Sequence, residues 1–259
     1  MPKSKKKRKL DRGEKTPLIP HRTKPSFPFH HLIAIALIAG VALLAYSNTF
    51  SVPFNFDDLA NITQNPNVQI RSLSWDGLER LVKNTYKESI RVFSYFTLAL
   101  NYYFGGSNVF GYHLVNLIIH IASGIFLYWF LILTFNLPLL KERYGPISYR
   151  VALFTSLIFI THPIQTQSVT YIVQRMASMG GMFYLLSLVL YIKGRLSTGR
   201  GRFLYFGGMV LTYFLGIFSK ENVAILPLFI ALYEFYFFQN LDLGPKGKRV
   251  VFFGLGGWR

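Results

Sequence analysis

Long apolar runs separated by short polar segments set the rhythm of this chain. "HLIAIALIAGVALLAYSNTF" (31–50) leads. "YHLVNLIIHIASGIFLYWFLILTFNL" (112–137), "YRVALFTSLIFITHP" (149–163), "ASMGGMFYLLSLVLYIKG" (177–194), "RFLYFGGMVLTYFLGIFSK" (202–220) and "NVAILPLFIALYEFYFF" (222–238) come after it. An α-helix needs roughly 20 such residues to cross a bilayer, and most of these runs come close to it. "VVFFGLGGWR" (250–259) begins a seventh before the sequence ends, the pattern of a truncated unit. The prediction is an all-α polytopic transmembrane bundle over 32–259, with about six spans plus a partial seventh.

The stretch between the first two spans, 51–111, has a different period. "LSWDGLERLVKN" (73–84) carries apolar residues at Leu73, Leu78, Leu81 and Val82, an amphipathic helix with Trp75 near its start. "VFSYFTLALNYYFGG" (92–106) is apolar but short for a span. Both are expected as helices lying on the outer membrane surface, with turn chemistry in "ITQNPNV" before them.

Composition agrees with a membrane class. The chain has 259 residues, 51% of them hydrophobic, and a mean hydropathy of +0.32, too apolar for an ordinary soluble domain. It has no cysteine, which excludes disulfides and thiolate metal sites. The net charge of +17 raises nucleic acid as a partner, and the opening "KSKKKRK" fits a nuclear-import pattern. The distribution of charge argues against both. Residues 1–31 hold ten Lys/Arg without helical period and read as a disordered basic tail. That tail is also long for the charged region of a cleaved signal peptide, so 31–50 reads as an uncleaved span. If the tail is cytoplasmic, then Lys141, Arg143 and Arg150, then Lys193, Arg195, Arg200 and Arg202, then Lys246, Lys248 and Arg249 share its side. This is the positive-inside rule. The loop 51–111 then faces the periplasm, lumen or cell exterior.

Polar residues at membrane depth or at its edge mark candidate chemistry. His113, Asn116 and His120 share one face of the second span, either as a site or as interhelical hydrogen bonding. Asp57 and Asp58 stand side by side in the first external loop. His162 precedes Pro163, and "HPIQTQSVTYIVQR" carries Gln165 and Arg175 along the outer surface. "SKEN" puts Lys220 and Glu221 at the same level, with Ser219 available as a helix N-cap. Asp57, Asp58, His162, Arg175, Lys220 and Glu221 are expected to converge. A carboxylate beside cations at a bilayer surface suits an acceptor hydroxyl attacking a sugar whose leaving group is a lipid phosphate. One carboxylate takes the proton, and Arg and Lys balance the phosphate. Asp57 is expected as general base and Asp58 as its neighbour for acceptor positioning. One of the pair is expected to bind its proton more tightly. The alternative for Asp58 is a cap on the segment "LANI".

"FNFDDLANITQNPNV", "LNYYFGGSNVFGYHLVNLIIH", "THPIQTQSVTYIVQR" and "SKENVAILP" together resemble the membrane portion of the TMTC-type proteins. These are GT-C glycosyltransferases akin to protein O-mannosyltransferases, whose bacterial relatives are often tetratricopeptide-associated. The resemblance covers roughly 32–238 and implies a GT-C-like fold. It also implies inversion at the sugar carbon, a polyprenyl-phosphate sugar donor (mannose is one sugar in question) and a protein or glycan acceptor. It maps the catalytic acidic pair onto Asp57 and Asp58. Arg175, Lys220 and Arg91 become donor phosphate-binding residues, supported by His162, Gln165, Glu221, His113 and Asn116. Where the family usually shows Arg-Pro, this chain has Arg91-Val92. No metal ligand set stands out, and a divalent cation stays open. The expected setting is a bacterial inner membrane, with membrane lipid and no nucleic acid as partner. The alternatives are a non-catalytic scaffold or transporter, or an inactive truncated product.

Overall fold

In the computed structural model, residues 29–239 are described. The basic tail, apart from its last residues, and the partial seventh span lie outside them. Among the described residues the chain is helical throughout: α1 (Phe29–Ala45), α2 (Trp75–Glu88), α3 (Val92–Gly105), α4 (Val109–Phe135), α5 (Pro138–Tyr144), α6 (Ser148–Thr161), α7 (Thr166–Thr170), α8 (Arg175–Leu196), α9 (Arg200–Ile217) and α10 (Leu226–Phe237).

α4 is the hub, with α1, α6 and α8 packed around it and α9 paired with α8. Ala34, Ile38 and Ala42 of α1 meet Leu117 and Tyr128 of α4 and Ala152 and Ile160 of α6 in one buried cluster. Small residues set the approach. A Cβ on Gly124 of α4 would stand 2.8 Å from the Ile160 side chain and 3.2 Å from that of Ile38. Gly216 does the same between α9 and α8, where a Cβ would meet Val223 at 2.8 Å and Phe183 at 3.3 Å. Close backbone approach is how helices associate where the surrounding lipid is as apolar as the side chains.

The bundle formed by these helices has two ends. One end gathers His31, Tyr128, Trp129, Lys193, Arg195 and Glu234. The other gathers the 51–111 segment and the starts of α4 and α8. By length and composition, Val109–Phe135 and Ile172–Leu196 can each cross a membrane. Pro138–Thr161 with Pro163–Thr170, bent by 54°, is a third if taken as one broken span. α1 is apolar but shorter. The described residues thus form an all-helical bundle of membrane-protein character.

Both helices expected in 51–111 are present. Ser74 Oγ accepts from Gly77 N–H at 3.2 Å and caps α2, while Trp75 stands 81% exposed. This segment has its own core: Ile62, Val68, Leu81, Leu98 and Ala99 pack on Tyr112, Ile172, Val173 and Met176. The stretch 163–175 departs from the surface path expected of it. After the bend at Pro163 it turns inward, burying Val169, Ile172 and Val173. Pro163 disfavours helix at His162, whose ψ of 129° is extended. The short helical turns after it leave the Val169 and Ile172 carbonyls open to side chains of α4.

Candidate active site

Asp57 and Asp58 have separate fates. Asp58 is buried, 1% exposed, and its carboxylate accepts from Asn55 N–H at 3.1 Å and Val173 N–H at 2.7 Å. Ile172 N–H contributes as well. These amides open the last turns leading into α8, so Asp58 satisfies, from another part of the chain, donors that a helix start leaves unpaired. It makes no cap on its own "LANI" turn (Leu59–Thr63), which corrects that alternative. Burial raises its pKa above the ordinary 3.8, and the backbone hydrogen bonds only partly oppose the shift. The raised proton affinity expected of one member of the pair thus falls on Asp58, not on the residue expected as base. The acceptor-positioning role expected of it does not suit a carboxylate closed off among backbone amides.

Asp57 is exposed. Its N–H donates to Tyr171 Oη at 3.1 Å, and its carbonyl accepts from Asn61 Nδ2 at 2.8 Å. Asn61 Oδ1 in turn accepts from the Tyr95 hydroxyl at 2.5 Å. Burial lifts the Tyr171 phenol above its ordinary value, so it remains protonated. Backbone bonds on both sides thus hold Asp57, which is exposed with its carboxylate within hydrogen-bonding reach of the Tyr171 hydroxyl. The residue before it, Phe56, has φ of 46°, the left-handed region that a bulky side chain rarely adopts, and its ring is 85% exposed. Strain of this kind persists where the surroundings over-determine it, and it clusters at functional sites.

Arg91 forks onto Glu221: Nε donates to Oε2 at 2.8 Å and Nη2 to Oε1. Pairing with Arg91 holds the Glu221 carboxyl well below its ordinary range, at about 2. The phosphate role expected of Arg91 therefore meets a guanidinium already occupied by a carboxylate. The Lys220 side chain, next in the chain, makes no hydrogen bond or ion pair with another described residue. It lines a cleft of about 170 Å³ with Gly180, Gly181, Tyr184 and Asn222. A Cβ on Gly180 would stand 3.0 Å from Lys220 Cβ, so the glycine makes the room the lysine occupies. Ser219 is buried and donates to Leu215 O at 2.7 Å. It closes the end of α9 and does not cap the turn Glu221–Ile225, which corrects the N-cap expectation.

Arg175 is fully buried. Nε donates to Asn116 Oδ1 at 2.7 Å, Nη2 to Tyr112 O at 2.9 Å and Nη1 to Thr97 O at 3.2 Å. It ties α8 to α3 and α4, so the direct phosphate contact expected of it gives way to a packing role. His113 Nε2 meets Val52 O at 2.9 Å, Asn116 Nδ2 donates to Val169 O and Ile172 O, and His120 Nε2 meets Ile160 O at 3.1 Å. Of the two readings for this polar face, the hydrogen-bonding one matches the contacts. It splices the open carbonyls of 163–175 to α4. His162 stands apart: its Nδ1 accepts from Ile164 N–H at 3.3 Å, and nothing among the described residues bonds it to the acidic pair. Gln165 Oε1 accepts from Ser168 Oγ at 3.0 Å, a local bond at the start of α7. Among the described residues no three His, Asp or Glu side chains gather as a metal site needs.

Sequence reasoning missed Tyr171, Tyr95 and Asn61, which connect Asp57 to α3 and the stretch before α8. Their signal was present: tyrosines inside apolar motifs carry a hydroxyl that must find a partner when buried.

The described residues form an all-helical bundle with candidate membrane spans, at one end of which a buried, amide-bound Asp58 stands next to an exposed Asp57. The chain is related to the TMTC-type protein O-mannosyl-transferases. It is 28% identical over 239 residues to protein O-mannosyl-transferase tmtc2 of Xenopus laevis, covering 86% of this chain and 27% of that protein. Human protein O-mannosyl-transferase TMTC4 is 29% identical over 206 residues, 74% of this chain and 28% of that protein. Human TMTC1 is 30% identical over 165 residues, 61% of this chain and 18% of that protein. The chain thus spans about a quarter of the length of the first of these curated relatives, 27% and 28% for two of them. No family model matches it. No solved structure matches it.

Proposed function

We propose that this chain forms the membrane-embedded unit of an inverting, GT-C-type glycosyltransferase. It moves a sugar, mannose by analogy with the relatives' names, from a polyprenyl phosphate to a hydroxyl of a protein acceptor. In this reading α1, α4, α6, α8, α9 and α10 are six spans, the basic ends face the cytoplasm, and the acidic loop faces the exterior or lumen. The observation that carries it is the division of labour between two adjacent carboxylates: Asp58 is buried and holds the loop to the start of α8, while Asp57 stays exposed beside the Tyr171 hydroxyl, next to the strained Phe56.

Asp57 takes the proton from the acceptor hydroxyl as its oxygen bonds to the anomeric carbon. The bond from that carbon to the phosphate oxygen breaks, and the electron pair leaves with the polyprenyl phosphate. Lys220, unpaired in its glycine-walled cleft, balances that charge, and Arg91 is held one residue away by Glu221. Hydrogen-bonded cations at such a site act on charge as it develops. Support for the spanning topology comes from the short connections between α4 and α6 and between α8 and α9, which hold Lys141, Arg143, Arg150, Arg195 and Arg200 without a matching run of acidic residues. A transporter reading loses its motive, since His113, Asn116, His120 and Arg175 are consumed by backbone and side-chain partners.

The test is transfer of labelled sugar from a polyprenyl-phosphate donor to a Ser/Thr acceptor by the reconstituted protein. Asp57→Asn should keep donor binding and lose about 10²–10⁴-fold in transfer, the usual general-base contribution. Near-normal transfer by a stably folded Asp57→Asn protein would overturn the assignment. Topology is checked separately: a reporter after residue 197 should read cytoplasmic and one near residue 66 external.

A further inference from the structure

A second cleft lies in the external segment, away from Lys220. It holds about 470 Å³, within the range of ordinary ligand sites, between the turn Pro66–Ser72 and α2. Arg71, Arg80, Asn67, Asn84, Gln69 and Ser72 line it, and no acidic residue does. Arg71 has no hydrogen-bond or ion-pair partner among the described residues. Arg80 uses only Nε, which donates to Asp76 O at 3.3 Å, leaving both terminal nitrogens free. Its wall is built: Asn84 Nδ2 donates to Asn67 Oδ1 at 2.9 Å, and Gln69 Nε2 donates to Thr63 O at 2.5 Å. The second bond fixes the cleft to the far end of the turn that begins at Asp57 and Asp58, six residues back.

The geometry of α2 decides what kind of ligand fits. At 100° per residue, the exposed Trp75, Val82 and Tyr86 fall within about 40° of one another. Gly77, Arg80 and Asn84 fall on the opposite side of the same helix. Val82 and Tyr86 also line an apolar cleft with Val92, Phe93, Phe96, Leu215 and Phe218. The apolar stripe is the side an interfacial helix gives to lipid, so the arginine side faces water. Two unpaired guanidiniums with amide and hydroxyl neighbours recognise carboxylates by forked hydrogen bonds.

We propose that this cleft binds an acidic stretch of the polypeptide acceptor, holding a nearby Ser or Thr within reach of Asp57. The acceptor's role rests on the glycosyl-transfer reading above, whereas the binding step is measurable without it. The chain in a neutral-lipid nanodisc is titrated with a labelled peptide in which Asp residues flank a Thr, and with its Asn counterpart, in the absence of donor. The Asp peptide should bind about tenfold or more tightly than the Asn peptide. Arg71→Gln with Arg80→Gln should erase that preference, and Arg71→Lys with Arg80→Lys should restore part of it. Asp57→Asn should leave it intact. Both arginines are exposed, so a thermal melt matching the parent is expected for each variant. Equal binding of the two peptides, or a preference that survives the double Gln variant, would overturn the proposal. So would arginine-dependent binding of anionic phospholipid vesicles without peptide selectivity, which would assign the cleft to a lipid headgroup. Loss of transfer in Asp57→Asn with no peptide preference would break this inference alone. Intact preference with undiminished transfer would break only the catalytic one.

Discussion

The two ends of α8 carry similar ionic chemistry and treat it differently. At the Leu196 end, Arg195 forks onto Glu234, with Nε–Oε2 at 2.9 Å and Nη2–Oε1 at 2.6 Å, and the Tyr191 hydroxyl adds a third bond to the same carboxylate. Tyr191, Ile192 and Tyr233 cover this pair, whose side chains are 29% and 20% exposed. At the Arg175 end, the Arg91–Glu221 fork is 30% and 50% exposed, and Lys220 precedes Glu221 in the chain. One end uses charge to close helices together; the other leaves it within reach of solvent. A fork of the same geometry is thus a clamp where apolar groups surround it and a solvated pair where they do not.

The contrast breaks most sharply between the two neighbouring aspartates. Asp58→Ala would strip the charged acceptor from at least two backbone amides, and about 3 kcal/mol of stability should go with it. Thermal melts in detergent would show this, whereas Asp57→Asn should melt like the parent. Equal melting of the two variants would erase the distinction between anchor and working group.

The clamp should come next. Arg195→Ala leaves Glu234 uncompensated among aromatic side chains, at a cost of about 3 kcal/mol. Arg91→Ala exposes a carboxylate that water already reaches, so its cost should stay under about 1 kcal/mol and shrink further in salt. Denaturation of both variants at low and high ionic strength reads the difference directly.

Gly124→Val should cost about 1–3 kcal/mol by overpacking against Ile160 and Ile38. The same change at Gly181, where a Cβ would meet nothing within 4 Å, should cost little. The melting temperatures of the pair would place the tightest helix contact.

The smallest effect is a dependence on acidity with two signs. Glu221 titrates below its ordinary value, so its pair contributes stability above about pH 4.5 that is lost as pH falls toward about 2. Asp58 titrates above its ordinary value, so its contribution runs the other way and weakens as pH rises past 3.8. Acid melts of Glu221→Gln and Asp58→Asn should shift the profile in opposite directions.

The helices were legible in the chain because apolar period and length act locally. α2 and α3 were visible inside a long polar-looking loop for the same reason, and Pro163 marked the break in the bundle. The face formed by His113, Asn116 and His120 could be read from spacing alone. Its partners could not, because the carbonyls of Val169 and Ile172 become available only when 163–175 bends inward, and that of Ile160 only because α6 stops before Pro163. Arg175 looked like an exposed cation at a helix start and is instead wholly enclosed by α3 and α4, since a helix end seen in sequence carries no information about what covers it. The acidic pair shows the same limit at its finest. Two adjacent aspartates were evident, with charge and position enough to mark a site. Which of them holds the loop and which is presented to solvent was decided by the amides of Ile172 and Val173, more than a hundred residues away, because burial and hydrogen bonding are properties of the assembled chain.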